Sequence, residues 1–197
     1  LAEWEGVGEG VAVVDKAYDK LAETLGSHSV LARTVRNAIA SGLPVVVVTT
    51  PAFGDEAARL VARRDVVVLG LQNGGVAPGG MSDSIAAGVA ARPSAPGWLL
   101  LPADMPLVKP ETLLAVAAAL NEHAAAYAQH KGRRGHPVAF GAELLSELLR
   151  LTGEEGARRI LARYPAVGVE VPDPGVLLDM DTEQDLVALR AKLSTEV

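Results

Sequence analysis

The chain has 197 residues, 49% of them hydrophobic and only 4% aromatic, with a formal net charge of −6 and no cysteine. That is enough apolar material for one sizeable core, so a single domain over residues 1–197 is expected, built on small aliphatics as in layered α/β proteins. The acidic balance argues against a polynucleotide partner, the lack of cysteine removes disulfides and thiolate chemistry, and no apolar run approaches the ~20 residues that a bilayer crossing needs. An intracellular, cytoplasmic protein is the expectation. Leu1 in place of a methionine points to an unusual start codon or to a beginning inside a longer chain.

Leu1 to Gly10 sets Gly6, Gly8 and Gly10 in a G-x-G-x-G row, which lets backbone N–H groups approach a phosphate. A phosphate loop should follow a strand, however, and here the apolar run Val11 to Val14 comes after the glycines; a flexible N-terminal segment is the competing reading. Lys16, Asp19 and Lys20 lie in a polar stretch ending at Gly26, where one lysine can reach a triphosphate or merely decorate a solvated loop. From Ser29, the residues Val30, Leu31, Val35, Ala38 and Ile39 recur at helical spacing until Gly42. Val45 to Val48 then reads as a strand, Asp55 to Arg63 as a helix and Val66 to Leu69 as a strand. This alternation implies parallel strands with right-handed crossovers.

Gln72 to Ser84 is a glycine-rich loop running into a small-residue helix from Ser84 to Ala91. Ser82 and Ser84 sit at the helix start, where free N–H groups and the positive dipole end favour an anion or a polar ring edge. Capping by Ser82 would explain the serines alone, but not so much glycine. Gly97 to Pro102 reads as a buried central strand that delivers Asp104 beyond its carboxyl end. Ligands of open α/β sheets sit there, so Asp104 is placed to hold a hard cation. The other reading makes Asp104 a cap for the helix starting near Pro110, a task for which Lys109 or the loop before it is better placed.

Pro110 to Leu120 reads as a covering helix. Gln129 to Pro137 is the one basic cluster of the chain, a loop in which Arg134 and His136 suggest an acceptor carrying phosphate or carboxylate, or else a solvated turn. His136 lies between Gly135 and Pro137 and is expected to be displayed rather than packed. Helices over about Ala142 to Arg150 and Glu154 to Arg163 lead to a strand at Val167 to Val171. Asp179 and Asp181, two apart, face one side of an extended backbone and with Asp104 would make a divalent-metal site. Alternatively Asp181 and Thr182 only cap a helix from Glu183 to about Leu193.

The runs LPADMPLV at Leu101 to Val108, GGMSDSIAAGV at Gly79 to Val89, GHPVAF at Gly135 to Phe140 and LLDMDTEQDL at Leu177 to Leu186 together resemble the MobA-like nucleotidyltransferases. Within that family the likeness is to molybdenum-cofactor cytidylyltransferases and their bacterial relatives, and it extends from about Asp19 onward. The resemblance implies an α/β, three-layer Rossmann-like nucleotidyltransferase fold with a mostly parallel central sheet flanked by helices. It implies Mg²⁺ on Asp104 with Asp181 or Asp179, Gly80 to Ser84 against the nucleotide, and Lys20 as the phosphate lysine. The reaction implied is nucleotidyl transfer from CTP or another NTP to a small phosphorylated acceptor such as molybdopterin, releasing pyrophosphate. A molybdoenzyme is the protein partner that would follow.

The front end departs from the family, whose first strand runs into LAAGxGxRxG. Laid on that pattern, Leu1 to Gly10 keeps Leu1, Ala2, Gly6 and Gly10, but Trp4 stands for a glycine and Gly8 for the arginine. Glu3, Glu5 and Glu9 would also face a triphosphate. Either the loop is remodelled, or Val11 to Val14 is the first strand and the phosphate loop is lost. The second case allows a contrasting function, a protein that binds a nucleotide or the molybdenum cofactor without turnover.

Overall fold

Val45 to Val48 offers no polar side chain to either face, as a strand covered on both sides requires, and it lies second from one edge of a seven-stranded sheet. The structure, a computed structural model, describes residues 11–14, 19–70, 80–153, 156–180 and 187. The strands are β1 (Val11–Val14), β4 (Val45–Thr49), β5 (Val66–Val68), β6 (Gly97–Pro102), β7 (Ala125–His130), β8 (Arg133–Gly141) and β9 (Val167–Glu170), in the order β5-β4-β1-β6-β8-β7-β9. A separate two-stranded ribbon pairs β2 (Thr24–Leu25) with β3 (His28–Ser29). The order accommodates Val11–Val14 as a central strand, parallel to β4 on one side and to β6 on the other. Among the described residues Val11–Val14 is thus the first strand; Leu1 to Gly10 lies outside them.

The sheet is mixed, where a mostly parallel one was expected. β8 is antiparallel to both neighbours, β6 and β7, while the pairs β4–β5, β1–β4, β1–β6 and β7–β9 are parallel. The cause is local. The basic stretch read as a loop is a β-hairpin, turned by Lys131 (φ 52°) and Gly132 (φ 72°). Two successive positive-φ residues give the turn whose twist matches that of paired strands.

Helices cover both faces. α1 (Val30–Ala40), α2 (Gly54–Leu60) and α4 (Pro110–Ala118) bury Leu31, Val35, Ala57, Leu113 and Val116 against Leu99 and Leu101. α3 (Met81–Ala90), α5 (Leu145–Leu149) and α6 (Arg158–Arg163) bury Ile85, Val89, Leu148 and Ile160 against Trp98, Leu100 and Phe140. Alternate residues of β6 thus feed two cores, the period-2 pattern of a strand in a three-layer protein. Several helices are displaced from their expected bounds: α2 ends at Leu60, α3 begins at Met81 rather than Ser84, and α6 begins at Arg158. The helix expected from Glu183 lies outside the described residues apart from Val187.

Candidate active site

β1 and β6 run parallel with Val14 opposite Pro102, so whatever follows each strand emerges at one edge of the sheet. After β6 comes Asp104, only 6% exposed. After β1, at an interval of four residues, comes a short 3₁₀ helix, Asp19–Ala22, whose backbone carries Lys20. Because β8 runs the other way, its beginning reaches the same edge. β8 pairs with β6 as far as Leu100↔Val138, and His136 lies two residues nearer the start of β8. Asp181, Gly6 and Gly10 lie outside the described residues, as does the side chain of Lys20.

Asp104 sits in an arch, residues 103–109, between β6 and α4. Two side chains of α1 hold it from one side. Thr34 Oγ1 shares its proton between Ala103 O (2.8 Å) and Val30 O (3.0 Å). Asn37 Nδ2 donates to Pro106 O (3.0 Å) and Val108 O (3.1 Å). Neither residue is conspicuous in the sequence; the signal is two polar side chains three apart on an otherwise apolar helix face.

The other side of the arch is held by Asp173. Its Oδ2 accepts from Lys109 N (2.9 Å) and Thr112 Oγ1 (2.7 Å), and its Oδ1 accepts from Gly175 N (2.9 Å). A carboxylate 2% exposed thus satisfies the first turn of α4 from 61 residues away, and Lys109, although at the N-cap position, makes no side-chain cap. The capping role considered for Asp104 accordingly belongs to Asp173. The segment after Asp173 is pressed onto the arch and onto β8: a Cβ on Gly175 would collide with the Leu107 carbonyl oxygen, and one on Gly135 with that of Val176.

This packing brings the last acidic segment to Asp104. Met180 N donates to Asp104 O at 3.0 Å. Met180 is buried and Asp179 exposed, the alternation of an extended backbone. Among the described residues no group of three His, Cys, Asp or Glu side chains is arranged to hold a metal. The described acidic pair on the adjoining segments is Asp104 and Asp179.

At the start of α3, Gly80 N donates to Asp83 Oδ2 (3.0 Å), so this amide is already occupied by the helix's own cap. Ser82 and Ser84, expected to line a ligand loop, are buried in the first turn at 0% and 4% exposure, and neither caps the helix. Ser82 Oγ has no hydrogen-bond partner among the described residues. On the hairpin, the exposed Arg134 stacks its guanidinium over the Tyr127 ring, 4.5 Å from the centroid. His136 is half-buried, not displayed, because it lies inside β8.

The hairpin turn is tied by a carboxylate that sequence reasoning did not single out. Glu170 accepts from Lys131 N (2.5 Å) and Gly132 N (3.2 Å). The Gly132 and Lys131 amides hold its pKa below the ordinary 4.5. Its tie is therefore complete above 4.5 and is lost as the pH falls through the lower, folded value. The Lys131 and Gly132 amide resonances should titrate together with a midpoint under 4.5; a midpoint at or above that value would contradict the bonding.

Comparison with known proteins agrees with this architecture. The Rv0371C protein of Mycobacterium tuberculosis H37Rv, solved in complex with manganese, is 25% identical, with a TM-score of 0.77 over 94% of this chain and 100% of that chain. A nucleotidyl transferase of Methanothermobacter shares the fold at 23% identity, with a TM-score of 0.75 over 95% and 99% of the two chains. CMP:2-keto-3-deoxy-manno-octonic acid synthetase, solved with CTP, shares it at 13% identity, with a TM-score of 0.72 over 96% and 100%. No curated protein matches the sequence. Among the described residues no helix is long and apolar enough to cross a membrane. A family model described as the MobA-like NTP transferase domain matches residues 14–167, most of the chain, which therefore belongs to that family of nucleotidyltransferases.

Proposed function

We propose that the protein transfers a nucleotidyl group from an NTP, CTP in the first instance, to a small phosphorylated acceptor of the molybdopterin kind in the cytoplasm, releasing pyrophosphate. The observation that carries this reading is the Met180 N to Asp104 O bond, which sets Asp179 and Met180 beside the arch bearing Asp104. The donor chemistry fits a hard divalent cation. Carboxylate oxygens are the ligands Mg²⁺ takes, and it keeps water and phosphate oxygens for its remaining positions, so a dedicated three-residue cage is not required. Asp104 with Asp179 or Asp181 would hold it; when bound, the ion neutralises phosphate charge. The manganese reported for the mycobacterial Rv0371C protein supports the same assignment.

The chain's own groups do the rest by position and charge. Lys20, on the helix that follows β1, is assigned to the phosphates. Arg134, steadied over Tyr127, and His136 at the start of β8 are assigned to the acceptor phosphate. Ser82 Oγ and Ser84 at the head of α3 are assigned to the nucleotide. No protein nucleophile is needed where reactants are aligned in line.

A second reading is favoured by one observation. Only four residues, 15–18, separate β1 from the helix bearing Lys20, whereas the family's glycine loop occupies about ten positions after its first strand. Each charge-assisted bond to a triphosphate contributes roughly 1.5–3 kcal/mol, so loss of two is worth on the order of a hundredfold or more in affinity. A member that binds without turnover would result. Calorimetry with CTP, GTP and ATP, each with Mg²⁺, combined with phosphorus NMR for pyrophosphate, separates these readings. Mg²⁺-dependent CTP binding with pyrophosphate release is the expected result. Binding without pyrophosphate in the presence of acceptor would favour the second reading, and no Mg²⁺-dependent binding of any triphosphate would overturn both.

A further inference from the structure

We infer that Thr34 and Asn37 are positioning residues for Asp104, tuning the cation affinity of the site from a helix that contributes no ligand to it. The inference rests on the reading of Asp104 as a cation-holding carboxylate. α1 faces the sheet with Val30, Leu31, Val35 and Ala38, all of them fully buried. Thr34, also fully buried, and Asn37 interrupt this apolar series where the helix passes the arch. They direct their donors at backbone carbonyls of the arch, which has neither helix nor strand to satisfy them.

The placement of these bonds matters more than their number. Thr34 holds the carbonyl of Ala103, the residue before Asp104, at 2.8 Å. Asn37 holds the carbonyl of Pro106, two residues after it, at 3.0 Å, and that of Val108 at 3.1 Å. The carbonyl of Asp104 itself is held by Met180 N at 3.0 Å. The backbone on both sides of Asp104 is thus fixed to one rigid helix, while its own peptide is fixed to the second acidic segment. A carboxylate carried on a loop acquires its aim from the scaffold that holds the loop, and a misplacement of about 1 Å can cost two orders of magnitude. Residues that orient metal ligands without touching the metal typically change affinity by about 10–100-fold.

The test uses the full chain and Mn²⁺ as the probe, read by electron paramagnetic resonance of the free ion. It also follows hydrogen exchange at the Met180 amide, which needs no metal. Thr34→Val keeps the shape of the side chain and removes its donor; Asn37→Ala removes the other pair of bonds and carries the test should Thr34→Val not fold. Each is expected to weaken Mn²⁺ binding about tenfold, and to speed exchange at Met180 relative to the amides inside α1, with Thr34→Ser restoring both. Asp104→Asn is run beside them. If it loses the ion while Thr34→Val and Asn37→Ala keep full affinity and unchanged Met180 exchange, the positioning role is wrong and the cation site stands. If Asp104→Asn still binds Mn²⁺ as tightly as the parent chain, the cation reading fails, and the inference resting on it fails too.

Discussion

Asp104→Asn is expected to lower divalent-cation affinity by roughly a hundredfold or more, equivalent to about 3 kcal/mol, and to leave the melting temperature unchanged or higher. The two halves of this expectation have one origin. Asp104 is 6% exposed, and a buried carboxylate costs free energy to desolvate that an amide of the same shape does not. A residue serving only the fold would lose stability on such a change, whereas one kept for a cation gives up affinity instead. Isothermal titration with Mn²⁺, paired with a thermal melt, checks both halves. A variant that melts several degrees lower yet retains its cation would show Asp104 to be structural.

Asp173→Ala is expected to have the largest effect on stability, a loss of about 3–5 kcal/mol out of the roughly 5–15 kcal/mol available to a domain. The carboxylate accepts from two amides and one hydroxyl, Lys109 N, Gly175 N and Thr112 Oγ1, and alanine strands all three at a site where the native residue is 2% exposed. The N-terminus of α4 also loses the negative charge that complements its dipole. Asp173→Asn should recover part of the loss, because one amide oxygen still accepts. Urea denaturation of the three chains gives the ranking directly. Equal midpoints for Asp173→Ala and the parent would refute the clamp. Cation affinity should also fall in Asp173→Ala while the chain is still folded, since the segment from Asp173 to Met180 would be released from the arch.

The sheet was legible because its signals are short-range. Val45 to Val48 and Gly97 to Pro102 are apolar on every position, and the Ser29 to Gly42 helix shows its buried stripe at the right spacing. The motifs around Asp104 and Asp179 could be recognised as resemblances, and the Met180 bond joins their segments. The hairpin was missed because Gln129 to Pro137 is polar and basic, and a composition that reads as a loop is equally that of two exposed strand ends joined by Lys131 and Gly132. The start of α3 was misplaced by three residues because Ser84 resembles a helix start, whereas the helix begins at Met81 and Asp83 supplies the cap. Asp173 shows locally only as the cap of the Asp-Pro-Gly turn, through Gly175 N; its clamp on α4 had no local signal, because Lys109 and Thr112 lie 64 and 61 residues away. Thr34 and Asn37 showed only as two polar residues on an apolar helix face, and their acceptors could not be read because they are carbonyl groups, which every sequence position possesses.

The reversed direction of β8 gives this protein a part that can change length at the expense of one tie, that of Glu170 to the Lys131 and Gly132 amides. A strand running with its neighbours is committed at both ends to crossover connections, so an added residue shifts everything that follows. β8 instead joins β7 through the two-residue turn Lys131–Gly132, and the arms can grow or shrink there in matched pairs, each added residue moving the tip by about 3.4 Å. The pairing from Val138 to Gly141 with β6 would not shift, and neither would the arch beyond Pro102. Relatives that differ in what they bring to this edge could therefore differ first in hairpin length, with the Asp104 arch and its anchors carried over unaltered.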